Sequence, residues 1–348
     1  MKSVTFIRLA LSILLPISAV FSAEFPDAAQ PQLATTNDGH VWLTFGRGPE
    51  IFVARSDDRG MTFSPPVRVA ALPSLMLGRR RGPRLAAYGE KITLTVMAGE
   101  LFAFHSKDGG RKWLGPTPIN DVPRSAREGL HALTIAPDGR LFTTWLDLRG
   151  ERTQLFSSDS TDGGATWSPN QLVYRAPNGQ TVCECCHPSA QFSARGELVV
   201  MWRNGLEGAR DMWSAVRPAG ADKFGASTKL GEGTWMLKAC PMDGGAVFTN
   251  GDRFVSVWQR SGDIFFNEPG GPEKRIASGT QPVAITTTNR TAVVWQQGAD
   301  LWVSTPRADA PPRLFKNQGR FPSIITINGS DEILVAFEQG SAVVVDRL

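Results

Sequence analysis

Short runs of alternating apolar and polar residues recur along the chain, and turns rich in Gly, Asn or Asp separate them. A period of two is typical of half-buried β-strands, and such turns join antiparallel neighbours. The recurring unit contains two strands, the second of which usually ends in an aromatic residue. Seven stretches fit this description: Pro31 to Phe45, Pro83 to Val96, Leu130 to Trp145, Pro188 to Trp202, Pro241 to Trp258, Pro282 to Trp295 and Pro322 to Phe337.

These units start about 40 to 60 residues apart, which is the length of one four-stranded propeller blade. No helical period of comparable length occurs along the chain. The sequence therefore predicts an all-β protein, a β-propeller of four-stranded blades. Seven units favour seven blades, with the N-terminal strand closing the last one. Six blades are the alternative, if one unit belongs to a neighbour.

The first residues have the pattern of an export signal. Lys2 and Arg8 carry positive charge, Leu9 to Phe21 is an almost wholly apolar run, and Ser22 and Ala23 are small enough for cleavage. That run is shorter than the roughly 20 residues that span a bilayer, and no later segment comes closer. We predict a signal peptide at 1–23, a single propeller domain at 24–348, and a secreted or periplasmic protein with no membrane span.

Three octets of the form Ser-x-Asp-x-Gly-x-Thr-Trp/Phe follow the third strand of a predicted blade. They are Ser56 to Phe63, Ser106 to Trp113, where Lys112 replaces Thr, and Ser160 to Trp167. The Asp accepts hydrogen bonds from turn amides, Gly relaxes the backbone, and the aromatic ring packs between strands. These are Asp-boxes, and with the blade period the chain resembles the sialidase-like BNR/Asp-box repeat propellers. The resemblance covers essentially everything after residue 23 and implies a propeller, often with a glycan-directed function.

The charge balance argues against one class of partner. The chain has 37 Lys and Arg against 33 Asp and Glu, a formal net charge of +4, and Lys2 and Arg8 lie in the predicted signal. Such a balance gives no basis for nucleic-acid binding. We expect a monomer whose partner is a carbohydrate or another small acidic ligand.

Several arginines fall on one predicted face. In a propeller, the loops that lead into each first strand share a face, here called the top face, with the loops that join second and third strands. Sialidases bind the substrate carboxylate through three arginines, one of them in an Arg-Ile-Pro motif. Arg81-Gly82-Pro83 and Arg320-Phe321-Pro322 resemble that motif, and Arg149, Arg203 or Arg210 would complete the cluster. Alternatively, these arginines are solvated or paired with acids of the same loops.

The catalytic residues of that family are matched only in part. A sialidase-like mechanism uses a Tyr nucleophile, yet neither Tyr88 nor Tyr174, the two tyrosines of the chain, precedes a top-face loop. Whether the protein is an enzyme is therefore left open. A two-carboxylate glycosidase would use Asp147, which follows an apolar strand directly, although an ion pair with Arg149 or Arg152 is the simpler interpretation. The other candidate acids are Glu184, Glu207, Asp211 and Asp243.

The four cysteines lie on loops of two successive units. Three belong to Cys183-Glu184-Cys185-Cys186-His187-Pro188, and the fourth is Cys240, in Ala239-Cys240-Pro241. Successive blades are neighbours, so we expect both loops to lie side by side on the top face. Both elements are similar to those of a bacterial Cys-x-Cys-Cys subgroup of sialidase-like proteins, for which the resemblance implies no function.

Four interpretations of these cysteines stay open. Two disulfides would suit an oxidising compartment. Cys183-x-x-Cys186-His187 also matches the c-type haem motif, although a tight loop offers haem little room. A redox-reactive thiol is the third. The fourth is a soft-metal site for copper or zinc, with these ligands: Cys183, Cys185, Cys186, His187 and Cys240, and Met236 or Met242 nearby.

Two functions follow from these observations. The first is an exported sialidase-like propeller directed at acidic glycans, either a divergent exo-glycosidase or a non-cleaving carbohydrate binder. The second is a metal-binding or redox scaffold built on the cysteines of the top face.

Overall fold

Seven antiparallel sheets are arranged as blades around a central channel. The computed structural model describes residues 22–306, 310–327 and 330–348, so nearly all of the predicted signal at 1–23 lies outside the described residues. Within each blade, strands that follow one another in the chain are hydrogen-bonded neighbours. The prediction of an all-β propeller with seven blades is confirmed.

The N-terminal strand β1 (Ala23–Pro26) belongs to the last blade, and the next twelve strands form the first three blades. Their bounds are β2 (Ala29–Thr35), β3 (Val41–Arg47), β4 (Glu50–Ser56), β5 (Val67–Ala71); β6 (Arg84–Tyr88), β7 (Lys91–Met97), β8 (Leu101–Ser106), β9 (Leu114–Pro118); β10 (His131–Ile135), β11 (Leu141–Asp147), β12 (Gln154–Ser160) and β13 (Gln171–Tyr174).

The remaining strands form blades four to seven, and a 3-10 turn at Pro177–Gly179 precedes them. Their bounds are β14 (Thr181–Val182), β15 (Ser189–Phe192), β16 (Leu198–Gly205), β17 (Met212–Arg217), β18 (Thr228–Lys229); β19 (Ala246–Asn250), β20 (Arg253–Arg260), β21 (Asp263–Asn267), β22 (Lys274–Ser278); β23 (Thr280–Thr286), β24 (Thr291–Gln297), β25 (Asp300–Ser304), β26 (Arg313–Lys316); β27 (Gly319–Thr326), β28 (Ile333–Gln339) and β29 (Ala342–Arg347).

The ring is closed by both ends of the chain. Strand β1 pairs antiparallel with β29, so that Phe25 lies opposite Val343, and it becomes the outermost strand of the seventh blade. Phe25 is buried, with its ring centroid 5.2 Å from that of Phe45 in the first blade. The last blade is therefore completed, and fastened to the first, by the N-terminal strand.

Tryptophans on second strands fill the space between blades. Trp145, Trp202, Trp258 and Trp295 are each at most 2% exposed. Trp202, for example, belongs to the same apolar cluster as Leu146 of the preceding blade. Truncating such a side chain to Ala typically costs about 3 to 5 kcal/mol, so these contacts hold the ring together.

The Asp-boxes form the turns between third and fourth strands, as the sequence predicts. In the first, Asp58 Oδ1 accepts hydrogen bonds from the backbone N–H of Thr62 at 2.8 Å and the hydroxyl of Ser56 at 2.7 Å. The Gly60 N–H donates to Ser56 Oγ at 2.7 Å. The boxes at Asp108 and Asp162 repeat this arrangement. Turns between third and fourth strands lie on the face opposite the top face, here called the bottom face. The Asp-boxes are therefore structural elements remote from the top-face loops.

The inner strand of the fourth blade is interrupted. Strands β14 and β15 both pair with β16, and the six residues from Cys183 to Pro188 leave the sheet between them. At the start of the interruption, the Cys183 N–H still donates to the Arg203 carbonyl at 2.9 Å. The cysteine loop is thus fixed at both ends by a central blade strand. No helix in the described chain is long and apolar enough to cross a membrane.

Candidate functional site

Three cysteines of the interrupted strand converge on one point. The Sγ atoms of Cys183, Cys185 and Cys186 all lie within 4.8 Å of one another, with Cys183 3.4 Å from Cys186 and 3.8 Å from Cys185. All three side chains are buried. These separations exceed a disulfide bond of about 2.05 Å, and the structure holds all four cysteines as free thiols. We call Cys183, Cys185 and Cys186 the thiol triplet.

The surroundings of the thiol triplet favour one thiolate. Hydrogen bonds from Cys185 and Cys186 lower the pKa of Cys183, and the nearby charge of Arg210 acts in the same direction. Burial raises the pKa of Cys186 to about 12, and the shared hydrogen bonds also raise the pKa of Cys185. The shared hydrogen bonds thus favour the thiolate form at Cys183 over the other two positions.

The structure does not bring His187 or Cys240 into the triplet. The His187 Nε2–H donates to the Gly245 carbonyl at 3.1 Å, and Nδ1 accepts from the Gly244 N–H at 3.3 Å. Burial, with the charges of Arg80 and Arg84, holds the pKa of His187 well below its usual range, so the ring is neutral. Both of its nitrogens are engaged, which leaves none to ligate a metal or a haem.

Met242, and not the predicted Cys240, lies beside the thiol triplet. Cys240 is exposed, whereas Met242, two residues later, packs against the three buried cysteines. The Met242 sulfur also accepts a contact from Arg79 Nη1 at 3.4 Å. Met236, the other methionine considered, is 66% exposed. Among the described residues, three buried thiols and the thioether of Met242 thus pack together.

The predicted catalytic acid Asp147 is a fully buried member of an ion pair. Its Oδ1 accepts from Arg149 Nε at 2.8 Å, and its Oδ2 accepts from Trp145 Nε1 at 2.8 Å. Burial raises the pKa of this carboxyl, but the hydrogen bonds from Arg149 and Trp145 outweigh it and lower the pKa below its usual value. Arg149 is further held by Asp121 at 3.0 Å and by the Phe156 ring. Asp147 therefore behaves as an anchor for Arg149.

Three of the other predicted arginines have separate partners, whereas the buried Nε of Arg210 has none among the described residues. Arg203 is buried and donates to three backbone carbonyls, those of Asp243, Arg210 and Gln259, at 2.6 to 3.0 Å. Arg81 Nε donates to the Glu128 carbonyl at 2.7 Å. Arg320 is half-exposed and lies 3.6 Å from Glu338. Five predicted site residues can now be compared: Asp147, Arg149, Arg203, Arg81 and Arg320. Within the described part of the chain, only Asp147 and Arg149 contact each other.

Two of the remaining candidate acids, and the tyrosines, are accounted for by their neighbours, whereas Glu184 and Glu207 are exposed. Asp211 pairs with Lys229 at 3.1 Å. Asp243 is buried and accepts the Gln281 N–H at 2.6 Å, and burial raises its pKa. Tyr174 accepts a hydrogen bond from Asn204, and Tyr88 is exposed beside the bottom-face turn at Gly139. Neither tyrosine is among the described residues that line the central channel.

Two arginines line the central channel that the sequence pattern does not single out. Arg80 and Arg84 flank the Arg81-Gly82-Pro83 motif, and their side chains, not that of Arg81, form part of the channel wall. The missed signal is the turn at Gly78–Arg81, whose central residues Arg79 and Arg80 have positive φ angles of 45° and 68°. Period-two reasoning cannot predict the direction of side chains in such a turn.

Comparison with known proteins identifies the fold. No protein-family model and no curated protein matches the sequence. Solved structures that match include the polysaccharide lyase Uly1, with a TM-score of 0.58 and 8% identity over 91% of this chain and 89% of that one. An α-L-arabinanase from Penicillium chrysogenum complexed with arabinobiose has a TM-score of 0.52 and 12% identity, over 92% and 93% of the two chains.

A third similar structure is a binding protein. YCF48 bound to D1 peptide has a TM-score of 0.56 and 13% identity, over 97% of this chain and 99% of that one. At such identities the similarity establishes the architecture alone. The chain is thus a seven-bladed β-propeller, similar in fold to these three structures. Its chemistry has to be argued from its own residues.

Proposed function

We propose that this protein binds a thiophilic metal ion, with Cu(I) favoured, through Cys183, Cys185 and Cys186. The observation that supports this proposal is the convergence of three buried thiols within 4.8 Å. A metal ion bonded to thiolates at about 2.3 Å holds its sulfur ligands roughly 3.8 to 4 Å apart. The separations in the thiol triplet are close to that value before any adjustment.

Charge around the triplet supports the same proposal. Three thiolates and one Cu(I) ion carry a net charge of −2, which a buried site tolerates only with cations nearby. Arg210 lies close enough to lower the pKa of Cys183, and Arg203 acts on Cys186 in the same way. Two arginines are therefore available to balance the bound complex.

The number of ligands favours Cu(I) over Zn(II). Structural zinc requires four ligands, commonly nitrogen or sulfur, whereas soft sulfur donors select Cu(I). Here the nearest imidazole, His187, is engaged by Gly244 and Gly245, and Cys240 lies outside the triplet. Met242, whose thioether is a soft donor, packs against the three thiols.

A competition titration tests the proposal. Reduced protein is titrated anaerobically with Cu(I) in the presence of a chromophoric Cu(I) chelator, and in parallel with Zn(II). We expect one Cu(I) per chain, at least a hundredfold weaker binding in Cys185→Ser, and unchanged binding in the matched control Cys240→Ser. Equal binding by wild type and Cys185→Ser would contradict the proposal. So would the absence of alkylatable thiols before reduction, because two disulfides would then occupy the cysteines.

A second candidate function is a carbohydrate-directed one, as a non-cleaving binder of acidic sugars. Two of the similar folds, the arabinanase and the polysaccharide lyase, have names of carbohydrate-active proteins. Arg81 and Arg320, from the two Arg-x-Pro loops, keep part of their surface exposed. The candidate requires a carboxylated sugar to bind and the Arg81→Ala and Arg320→Ala variants to bind it more weakly. Unchanged binding in both variants would remove these loops from consideration.

We further propose that the protein is exported as a monomer after removal of residues 1–23. Lys2, Arg8 and the apolar run Leu9 to Phe21 support a signal peptide. Cleavage after Ala23 would leave Glu24, Phe25 and Pro26 to pair with β29 and close the ring. The native and denatured masses of the exported protein test this proposal. A monomer that starts at Glu24 is expected, and a chain that retains its N-terminus would contradict it.

A further inference from the structure

The central channel contains positive charge that no side chain on its wall neutralises. A cavity of about 240 Å³ extends from the top face between the first strands of the seven blades. Its charged wall residues are Arg80 and Arg84, and none of the described residues that line it is Asp or Glu. Concave surfaces with charge of one sign concentrate small ions of the opposite sign.

Arg84 has only uncharged partners. It is the first residue of β6, and its guanidinium donates to the carbonyls of His131 and Pro83, both at 3.3 Å, and to that of Arg80. In the described chain it forms no ion pair. Burial, and then the charge of Arg80, lower the pKa of Arg84 to about 9. The neighbouring His131 adds no charge, because burial and Arg84 lower its pKa to about 3.

Arg80 is held at the mouth of the channel by a strained turn. Gly78 and Arg81 exchange backbone hydrogen bonds of 2.9 and 3.0 Å, which places Arg79 and Arg80 in the left-handed region. Such turns favour Gly and Asn, and strain of this kind is often kept at functional sites. The Arg80 side chain extends to the sixth and seventh blades. There it donates to Gln281 Oε1 at 2.9 Å and to the Pro322 carbonyl at 2.7 Å.

The acids nearest to this pair act on Arg80 and leave Arg84 uncompensated. Burial lowers the pKa of Arg80 to about 10, against the opposing effect of Asp243 and Glu338. Glu338 is itself bound by Gln30, and Asp243 by Gln281. No carboxylate acts in this way on Arg84, whose pKa only burial and Arg80 shift.

We propose that the channel binds one small oxyanion, a carboxylate or phosphate group, between Arg84 and Arg80. A planar guanidinium pairs with either group through two parallel hydrogen bonds. The cavity volume limits the ligand to about the size of a monosaccharide acid or a phosphate. This site goes beyond the metal function and uses none of the cysteines, and it is distinct from Arg81 and Arg320.

The test compares anions at matched ionic strength on reduced, metal-free protein. Melting temperature and calorimetric binding are measured with sodium phosphate and sodium glucuronate, against sodium chloride and neutral glucose as controls. We expect one site per chain and a melting temperature several degrees higher with phosphate, glucuronate or both. The ligand that acts identifies the group, phosphate or carboxylate. Identical melting in all four solutions would overturn the proposal.

Charge variants assign the binding to Arg84. We expect Arg84→Gln to weaken binding of the active anion at least tenfold. Its response to the anion is compared with the melting temperature of the same variant without anion, because Gln cannot replace all three hydrogen bonds of Arg84. The matched control is Arg195→Gln, which removes one charge from an exposed turn paired with Asp252. A wild-type response in Arg84→Gln would overturn the proposal. If that variant does not fold, Arg84→Lys replaces it, with weaker binding expected and unchanged binding contradicting direct contact.

Discussion

At the scale of single residues, a substitution of Asp147 distinguishes a structural role of this carboxylate from a catalytic one. It accepts hydrogen bonds from Arg149 and Trp145 in a fully buried position. We expect Asp147→Asn to lower the free energy of unfolding by about 3 kcal/mol, because an amide leaves Arg149 without its buried charge partner. Urea denaturation measures this loss. The matched control is Asp121→Asn, the exposed partner of Arg149, for which the loss should be under about 1 kcal/mol.

The contrary outcome for Asp147 is equally specific. A glycosidase acid would give an Asp147→Asn variant that unfolds like wild type but has lost hydrolysis or ligand binding. Such a result would restore the carboxylate as a catalytic candidate.

Gly244 controls the position of the cysteine loop. A Cβ at this residue would lie 1.8 Å from the His187 carbonyl oxygen, so any side chain must push the two loops apart. We expect Gly244→Ala to weaken Cu(I) binding at least tenfold in the chelator competition, because His187 follows Cys186 directly. The control is Gly271→Ala, whose Cβ would meet its nearest atom at 3.4 Å. Wild-type affinity in Gly244→Ala would show that the triplet does not depend on this loop contact.

The limits of sequence reasoning also lie at this scale. The meeting of Cys183, Cys185 and Cys186 follows from their closeness in the chain, so it could be predicted. The positions of Cys240 and Met242 depend on the backbone between them, where Met242 has a φ of 55°. Apolar periodicity carries no information about such an angle. For the same reason, the Arg-x-Pro pattern points to Arg81, whereas Arg80 and Arg84 are the residues that line the channel.

At the scale of structural elements, the Asp-boxes make the protein sensitive to acid. Although burial raises the pKa of Asp58, hydrogen bonds from Thr62 and Ser56 outweigh it and lower this pKa to about 2. The pKa of Asp162 is also about 2, for the same reasons. A folded-state pKa below the usual value of 3.8 means that the ionised group stabilises the fold above pH 4. That stabilisation is lost as the pH falls from about 4 to about 2.

The Asp58→Ala variant tests this dependence. We expect it to lower the free energy of unfolding at pH 7 by roughly 1 to 2 kcal/mol, the scale of hydrogen bonds to a partly solvated charge. The difference from wild type should shrink between pH 4 and pH 2, as followed by urea denaturation. Asp222→Ala, in an exposed loop, is the control and should change stability little. A difference that is constant down to pH 2 would contradict the role of the ionised carboxylate.

Most elements could be predicted because blade strands obey one rule. Residues facing neighbouring blades must be apolar, and turns require Gly, Asn or Asp, so both leave a local signal. The observed strands differ from the predicted ones at two places, both next to the cysteine loop. Strand β19 begins at Ala246 instead of near Pro241, because the preceding residues contact the cysteine loop. The inner strand of the fourth blade is split by Cys183 to Pro188, where the three cysteines pack on one another and His187 hydrogen-bonds to Gly245, just before β19.

At the scale of the whole molecule, ring closure links the two ends of the chain to the channel. The seven first strands surround the channel only while the last blade stays joined to the first. The contacts that join these blades include the hydrogen bond from the Gln30 N–H to the Glu338 carboxylate and the packing of Phe25 on β1 against Phe45. The thiol triplet, in the fourth blade, is far along the chain from this closure. Loosening the closure should therefore affect stability more than metal binding.

The Phe25→Ala variant tests that expectation. Phe25 is buried, with Phe45 and Phe63 within 6 Å centroid to centroid, so its removal leaves a cavity at the seam. We expect the free energy of unfolding to fall by about 3 to 4 kcal/mol in urea denaturation. Cu(I) affinity measured below the transition should stay within a factor of two of wild type. The control is Glu24→Ala, an exposed position on the same strand.

Two results would contradict this view of the closure. Wild-type stability in Phe25→Ala would mean that β1 does not hold the seventh blade to the first, and that the other strands suffice for closure. A parallel loss of Cu(I) affinity would mean that distortion spreads around the ring to Cys183 and its neighbours. We expect neither result. Each blade packs mainly on its neighbours, and the cysteine loop is fixed locally by Arg203 and Gly244. Phe25→Ala should therefore lose much stability and keep its metal binding.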